Sequence, residues 1–505
     1  VPNTRATVQE LFDGLSAESQ NRWPSLEQDL MGVNDFAEPF LSAGFYYKTF
    51  MWPRTFWERL YEPLIRRAAG LGTLELDGSG WPTERAFAHC DILVIGAGPA
   101  GLMAALRAAR AGADVILACE DAELGGRLLT EREEVDGRSG ADWAAELADE
   151  LRGMDNVRLM TRTAVTGAYD GGTYGALERV SCHMADPGDA PRETFWRIAT
   201  KQAVLAAGAI ERGIAFRDND RPGVMAASAV RAYLHRWGVA PGRKIAVFGN
   251  NDQARRTALD LRDAGVTVTG LIDTRDDAIG GDLPLMAGGR VTGTKGRLGL
   301  RSVIVVHRGG AREIEADCLA IAGGWNPSVH LTCHMNGRPE WREDIAAFVP
   351  AAGAVPGLTP CGAAAGVYDT AGCLKDGLRA AGIALKALEL KVPRVSAPKA
   401  EDGAYAVDPV WHVPGRGRAW LDFQNDVTVK DIKQAAAENY SSVEHMKRYT
   451  TQGMATDQGK NSNVAALAVL ADATGRSIPD TGTTTFRPPY IPVSIAAMGA
   501  GAEGM

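Results

Sequence analysis

The sequence predicts an α/β chain with two Rossmann-like dinucleotide-binding domains, followed by a small helical module. Three observations carry this. Residues 90–120, CDILVIGAGPAGLMAALRAARAGADVILACE, read strand, tight turn, helix, strand. Residues 244–273 repeat that order. From residue 420 the pattern becomes helix, helix, glycine loop, helix.

The first repeat carries the chemistry. Ile92–Ile95 is the short apolar run of a buried parallel strand, and Gly96, Gly98 and Gly101 follow at GxGxxG spacing. The first glycine allows the turn, the second lets backbone approach a pyrophosphate, and the third lets helix pack on strand. Pro99 precedes helix Ala100–Arg110, whose N-terminal amides face that phosphate pair. Glu120 ends the second strand, where a carboxylate accepts hydrogen bonds from a ribose diol and repels a 2′-phosphate. The expected ligand is therefore NAD or FAD rather than NADP.

Bulk properties bound the rest. The chain has 505 residues, 45% of them hydrophobic, and a net charge of −8 with no basic block, which argues against nucleic acid. No apolar run approaches the ~18 residues of a membrane span, and no signal peptide is visible, so a cytoplasmic location is expected. The seven cysteines form no CxxC, which argues against a dithiol reductase, a zinc site or an iron–sulfur site, and no metal is expected. The first residue is Val, which suggests a processed product or a piece of a longer polypeptide.

In chain order, residues 1–85 form an N-terminal helical and aromatic segment. The stretch 42–57, SAGFYYKTFMWPRTFW, suits core packing or a subunit interface, and Trp57–Gly70 reads as one amphipathic helix before a glycine-rich link. Residues 86–240, with 320–390, form the first dinucleotide-binding domain. Within it, ELGGRLL resembles the glycine pair that follows the acid in two-dinucleotide-domain flavoproteins, which adds Gly126 and Arg127 to the pyrophosphate site. In the same superfamily the backbone at Thr163–Val165 meets adenine, and LAAGAIER resembles the strand end where Ala207 and Gly208 close over the nucleotide.

Residues 241–319 form the second, degenerate Rossmann domain. Gly249 survives, but Asn251 and Ala254 replace the other two glycines, so an empty second site is expected. In GLTPCGAAAG, Ala363 stands where flavoproteins carry the aspartate that holds a ribityl chain, which favours NAD over FAD in the first site. Residues 391–419 read as a linker, 420–478 as the helical module and 479–505 as an extended tail. The module resembles the bacterioferritin-associated ferredoxin type of domain, but positions near Asp422, Asp457 and Asn461 carry no thiol, so the cluster is lost.

Taken together, these features resemble the α subunit of heterotetrameric sarcosine oxidase and of related amine or amino-acid oxidase complexes. The resemblance covers nearly the whole chain. It rests on AGFYYKTFMWP with FWERLYEPLIRRAAGLG, VIGAGPAGL with ELGG, FGNND, and KRYTTQGMATDQGK followed by TTFRPPYIPV. It implies an oxidoreductase acting only within a complex. A β subunit with FAD would oxidise a small secondary amine such as sarcosine, smaller subunits would complete the assembly, and oxygen would accept the electrons as peroxide. This chain would bind NAD and share an FMN site with the β subunit. Glycine would form together with a one-carbon unit, passed to tetrahydrofolate by a domain outside this chain. No catalytic acid or base is expected here.

The loop 450–463 is the FMN candidate. Lys460 offers a charge for a dianionic phosphate, Thr451, Gln458 and Asn461 offer neutral hydrogen bonds, and Lys447 or Arg448 could add a second charge. The competing reading is a solvated polar loop left when the cluster was lost. Two other functions stay open: a stand-alone NAD(P)H-dependent flavoprotein reductase, and a scaffold subunit with structural NAD.

Overall fold

The protein is described from a computed structural model covering residues 9–17, 22–40, 43–69, 82–400, 403, 405–454 and 457–499. Ser42, the glycine-rich link at 70–81 and loop residues 455–456 lie outside the described residues. The chain divides into two compact units.

One unit comprises Val1–Arg85, Arg179–Phe195 and Ser494–Met505. The expected helix from Trp57 is instead a π-turn, Trp57–Tyr61, followed by an α-helix, Glu62–Ala68. The reason is Pro63: it has no N–H to bond back to Arg59, so the turn before it widens. Neither piece buries a residue. Met51, Trp52 and Phe56 are exposed, Trp52 by 85%, so these aromatics are not a core of this chain. The unit is tied by backbone and side-chain bonds, among them Arg192 N–H to the Pro82 carbonyl (2.7 Å) and Thr83 Oγ1 to the Ala496 carbonyl (3.1 Å).

The other unit comprises Ala86–Glu178 and Trp196–Val493. Its first half alternates β1 (Thr83–Ile95), α1 (Pro99–Arg110), β2 (Val115–Ala118), α2 (Gly140–Arg152) and β3 (Val157–Met160). β4 (Thr163–Tyr169), β5 (Thr173–Glu178) and β6 (Glu193–Leu205) follow. They form one sheet in the order β3-β2-β1-β6-β5-β4. β1 runs parallel to β2, with Ile92 opposite Val115 and Ile95 opposite Ala118. Parallel strands covered on both faces need unbroken apolar runs, and Ile92–Ile95 and Val115–Ala118 are buried throughout.

The second half contains β7 (Ala209–Glu211), β8 (Val224–Ala226), α3 (Ala227–Trp237), β9 (Lys244–Gly249), α4 (Asp252–Asp263), β10 (Thr267–Asp273) and β11 (Leu285–Ala287). A three-stranded antiparallel sheet, β12 (Arg290–Lys295), β13 (Ser302–His307) and β14 (Gly310–Glu315), precedes β15 (Cys318–Ala322) and β16 (Trp325–Pro327). The second parallel sheet has the order β8-β15-β9-β10-β11. The chain then returns to the first sheet: β17 (Leu358–Pro360) pairs with β6, and α5 (Thr370–Ala387), N-capped by Asp369, packs on α1. Leu102, Met103 and Leu106 of α1 are buried in that core, each contributing roughly 1.5–3 kcal/mol of burial.

Residues 391–419 have a linker's composition, yet the described ones among them are pinned by bridges to both Rossmann units. Val135 bridges Ala400, Asn251 bridges Val407 and Ala215 bridges His412. The module follows as α6 (Val429–Ala437), α7 (Val443–Thr450) and α8 (Asn463–Thr474). Thr428 and Asp431 form a reciprocal capping box on α6, and Ser442 caps α7 through the His445 N–H. No described helix is long and apolar enough to cross a membrane.

Candidate functional site

A cavity of about 270 Å³ opens beyond the carboxyl ends of β1 and β2, where ligands of open α/β sheets bind. Gly96, Gly98, Pro99, Ala100, Glu120, Gly126, Arg127, Val165, Ala207 and Gly208 all line it. Gly101 does not. It lies behind the wall, where an added Cβ would stand 1.9 Å from the Gly96 carbonyl oxygen, so its role is close packing. At Gly98 an added Cβ would meet no protein atom within 4 Å, which leaves the space in front of α1 open to a pyrophosphate. Gly96, at φ +95°, makes the turn that aims the strand end at the helix. Ala363, which carries a methyl group and no carboxylate, lines the cavity.

The structure adds residues that no motif indicated: Asp121, Glu131, Trp325, Tyr368, Cys373 and Tyr490. Asp121 is held by Arg236 through two bonds of 2.7 and 2.8 Å. Burial opposes its charge, but Arg236 keeps the carboxyl below the usual range. Arg127 donates to Glu131 (Nε, 2.7 Å) and to the Tyr368 carbonyl. Glu131 also accepts from Arg231 (3.1 Å), which in turn donates to Asp260 (2.7 Å). Burial would raise the Glu131 pKa, but Arg127, then a hydrogen bond from Glu133, and then Arg231 overcome it and keep the group ionised. The guanidinium assigned to the pyrophosphate therefore stands at the cavity wall already balanced by a carboxylate. Glu131 and Asp121 flank the ELGG signal, which is the only hint the sequence held; the aromatics come from segments far apart in the chain.

The second Rossmann unit is built differently at the same position. The Asn251 side chain is fully buried and N-caps α4 by accepting the Gln253 N–H (3.0 Å), while its amide donates to the Ala322 carbonyl (2.8 Å). The helix thus starts at Asp252, directly after its cap. Arg275 spans Asp252 and Asp273, and the chain's own segment crosses here: Ala406 N–H donates to Asp252 and Asp408 N–H to the Asn250 carbonyl. The Asn251 amide and the segment 406–408 thus stand at the start of α4 in the second unit.

In the module, the loop after α7 is folded around two side chains. Asp422 accepts the Gly453 N–H (2.8 Å) and the Gln424 N–H (2.9 Å). Asn463 donates to the Gln458 carbonyl (2.8 Å), and a Cβ on Gly453 or Gly459 would collide with its Oδ1. The polar side chains assigned to FMN have partners within the chain. Gln458 bonds to Arg487 and Pro489, Asn461 donates to the Glu211 carbonyl (2.6 Å), and Thr451 Oγ1 donates to the Thr450 carbonyl (2.5 Å). Lys460 Nζ lies 4.2 Å from the Tyr490 ring centroid. Burial lowers the Lys447 pKa, Glu444 opposes this, and Arg487 and Arg448 lower it further; Glu444 also pairs with Arg448 (3.5 Å). Among the described residues no group of three or more His, Cys, Asp or Glu could hold a metal ion.

Glu211 gives a pH signature. Burial pushes its carboxyl from the ordinary 4.5 up to about 7, against the Ser228 N–H bond of 2.6 Å. A raised carboxyl contributes stability in full below about pH 4.5 and loses it as pH rises through about 7. Glu211→Gln should therefore gain on the wild type by roughly 2–3 kcal/mol between pH 5 and pH 8. Denaturant unfolding of both proteins at the two pH values checks this; parallel pH profiles would mean that Glu211 ionises freely.

Comparison with known proteins agrees with this architecture. The family described as "Sarcosine oxidase A3 domain" matches residues 416–502, and "FAD dependent oxidoreductase" matches residues 91–172. The sarcosine oxidase subunit alpha of Rhizobium meliloti (strain 1021) is 50% identical over 98% of this chain and 51% of its own length. That of Corynebacterium sp. (strain P-1) is 39% identical over 86% of this chain and 48% of its own. The chain thus spans about half the length of these relatives. L-proline dehydrogenase from P. horikoshii shares the fold at a TM-score of 0.65, with 21% identity, covering 82% of this chain and 80% of that one. With the intact first fingerprint, the altered second one and the helical module all present, the chain is similar to sarcosine oxidase α subunits over nearly its whole length.

Proposed function

We propose that the chain acts as the α subunit of a multi-subunit oxidase of sarcosine or a similar N-methyl amino acid, holding NAD in the first Rossmann cavity. The observation that carries this is 50% identity across 98% of the chain to a sarcosine oxidase α subunit, on a chain whose first dinucleotide cavity is open. In this reading the amides of α1 and the bare backbone at Gly98 take the pyrophosphate, Glu120 takes the adenosine ribose, and Ala207 and Gly208 close the wall. The loop 451–461, with Lys460 and the neighbouring Lys447, Arg448 and Arg487, forms one side of an FMN site that a FAD-carrying β subunit completes. Bound flavin supplies electron transfer from amine to oxygen, with glycine, a one-carbon unit and peroxide as products. This chain contributes binding and orientation, and the amine chemistry belongs to the partner.

A stand-alone two-dinucleotide reductase is disfavoured by the second unit, where Asn251 and the segment 406–408 stand at the start of α4. The test uses the assembled complex. Mass spectrometry of the denatured protein should release NAD, not NADP. Lys460→Ala should weaken FMN retention roughly tenfold while FAD and its amine-dependent reduction persist. Unchanged FMN and unchanged oxygen turnover would move the phosphate site elsewhere.

A further inference from the structure

The segment Phe486–Tyr490, FRPPY, answers to no nucleotide motif, yet it reaches the cavity. Tyr490 lines the same cavity as Glu120, the acid placed at the adenosine ribose. Its N–H donates to the Thr166 carbonyl (3.0 Å) on β4, the strand that supplies Thr163 and Val165 to the same wall. The ring is fixed from behind. His330 stacks on it at 5.0 Å and 23°, and Lys460 Nζ lies 4.2 Å from its centroid. His330 is buried with neither ring nitrogen bonded, and burial, then Lys460, lower its pKa to about 3, so it packs as a neutral plate.

The helical module sets this position. One side chain, Gln458, makes three bonds to the segment: Nε2 to the Arg487 carbonyl (2.6 Å) and the Pro489 carbonyl (3.2 Å), and Oε1 from the Arg487 N–H (2.8 Å). We propose that Tyr490 is a binding residue of the dinucleotide cavity, closing its adenosine end, and that the helical module is thereby a working part of the first Rossmann site. The ligand class is an adenosine diphosphate moiety, whose purine and ribose need an apolar wall beside an acid. This rests on reading the cavity as a dinucleotide site. It makes dinucleotide retention depend on a region about 370 residues further along the chain than Glu120.

The experiment is calorimetric titration of the nucleotide-stripped complex with NAD, ADP-ribose and nicotinamide mononucleotide. Tyr490→Ala should weaken NAD and ADP-ribose equally, about tenfold, and leave nicotinamide mononucleotide unchanged. Tyr490→Phe should behave as wild type, because the ring forms the wall. Gln458→Ala, with the ring intact but unbolted, should show a smaller loss of the same pattern, and it carries the test where Tyr490→Ala does not assemble. Wild-type affinity for ADP-ribose in both Tyr490→Ala and Gln458→Ala, with binding lost in Gly98→Val, would overturn the role of Tyr490 alone. If Gly98→Val also bound normally, or the wild type bound no dinucleotide, the reading of the cavity itself would fall.

Discussion

Gly98→Val should give a folded protein that has lost its dinucleotide. At Gly98 the backbone is extended (φ −71°, ψ −177°), a conformation open to any residue, and a new Cβ meets no protein atom within 4 Å. The fold should therefore change by less than about 1 kcal/mol. The valine methyls instead occupy the space in front of the first turn of α1, where a pyrophosphate must come within hydrogen-bond reach. Retention should fall at least roughly 100-fold. Gly101→Val makes the contrast. Its Cβ would stand 1.9 Å from the Gly96 carbonyl oxygen and 3.3 Å from Ala206 Cβ, backbone and core that cannot yield. That substitution should cost more than about 4 kcal/mol and reduce soluble protein. Nucleotide quantified by mass spectrometry, beside melting curves, separates the two: one variant loses ligand, the other loses fold. Full nucleotide content in Gly98→Val would remove the pyrophosphate from this turn.

Arg212→Met should destabilise the protein by about 3–5 kcal/mol without touching any proposed ligand. Arg212 is 1% exposed. It donates to the Gly323 carbonyl (2.8 Å), the Trp325 carbonyl (3.2 Å), Asn326 Oδ1 (3.2 Å) and the Ala346 carbonyl (2.8 Å), and it lies 4.6 Å over the Trp411 ring. One planar fork thus satisfies four acceptors on two separate segments, 323–326 and Ala346, and methionine would remove all four bonds. Lysine should not rescue, because a single ammonium cannot span that geometry. Gly324→Ala should weaken the same site, since a Cβ there would stand 2.5 Å from Nη2. The double variant should then lose less than the sum of the two. Denaturant midpoints measure this; a loss under about 1 kcal/mol for Arg212→Met would mean that water replaces the fork.

The signals that the sequence carried were local. Strand, turn, helix and acid in residues 90–120 are a contiguous unit whose spacing is dictated by sterics, so GxGxxG and Glu120 could be read without a fold. The same holds for the caps at Thr428 and Ser442, where a side chain bonds a backbone three residues away. Sequence also showed that Asn251 breaks the second fingerprint, because a Cβ and an amide cannot share space with a phosphate.

What tertiary structure alone decided were the contacts between distant segments. That residues 406–408 cross the start of α4, that Arg231 reaches Glu131, and that Asn461 donates to the Glu211 carbonyl all depend on partners 100 or more residues away. The aromatic stretch before Trp57 is a case of the same limit: apolar composition marks a surface to be covered but not what covers it, and the exposure of Trp52 rules out this chain's own core. Tyr490 is the clearest example. Its neighbours in sequence are prolines and an arginine, and only folding brings its ring to the cavity that Glu120 also lines, because burial and stacking follow distance in space and leave no period in the chain.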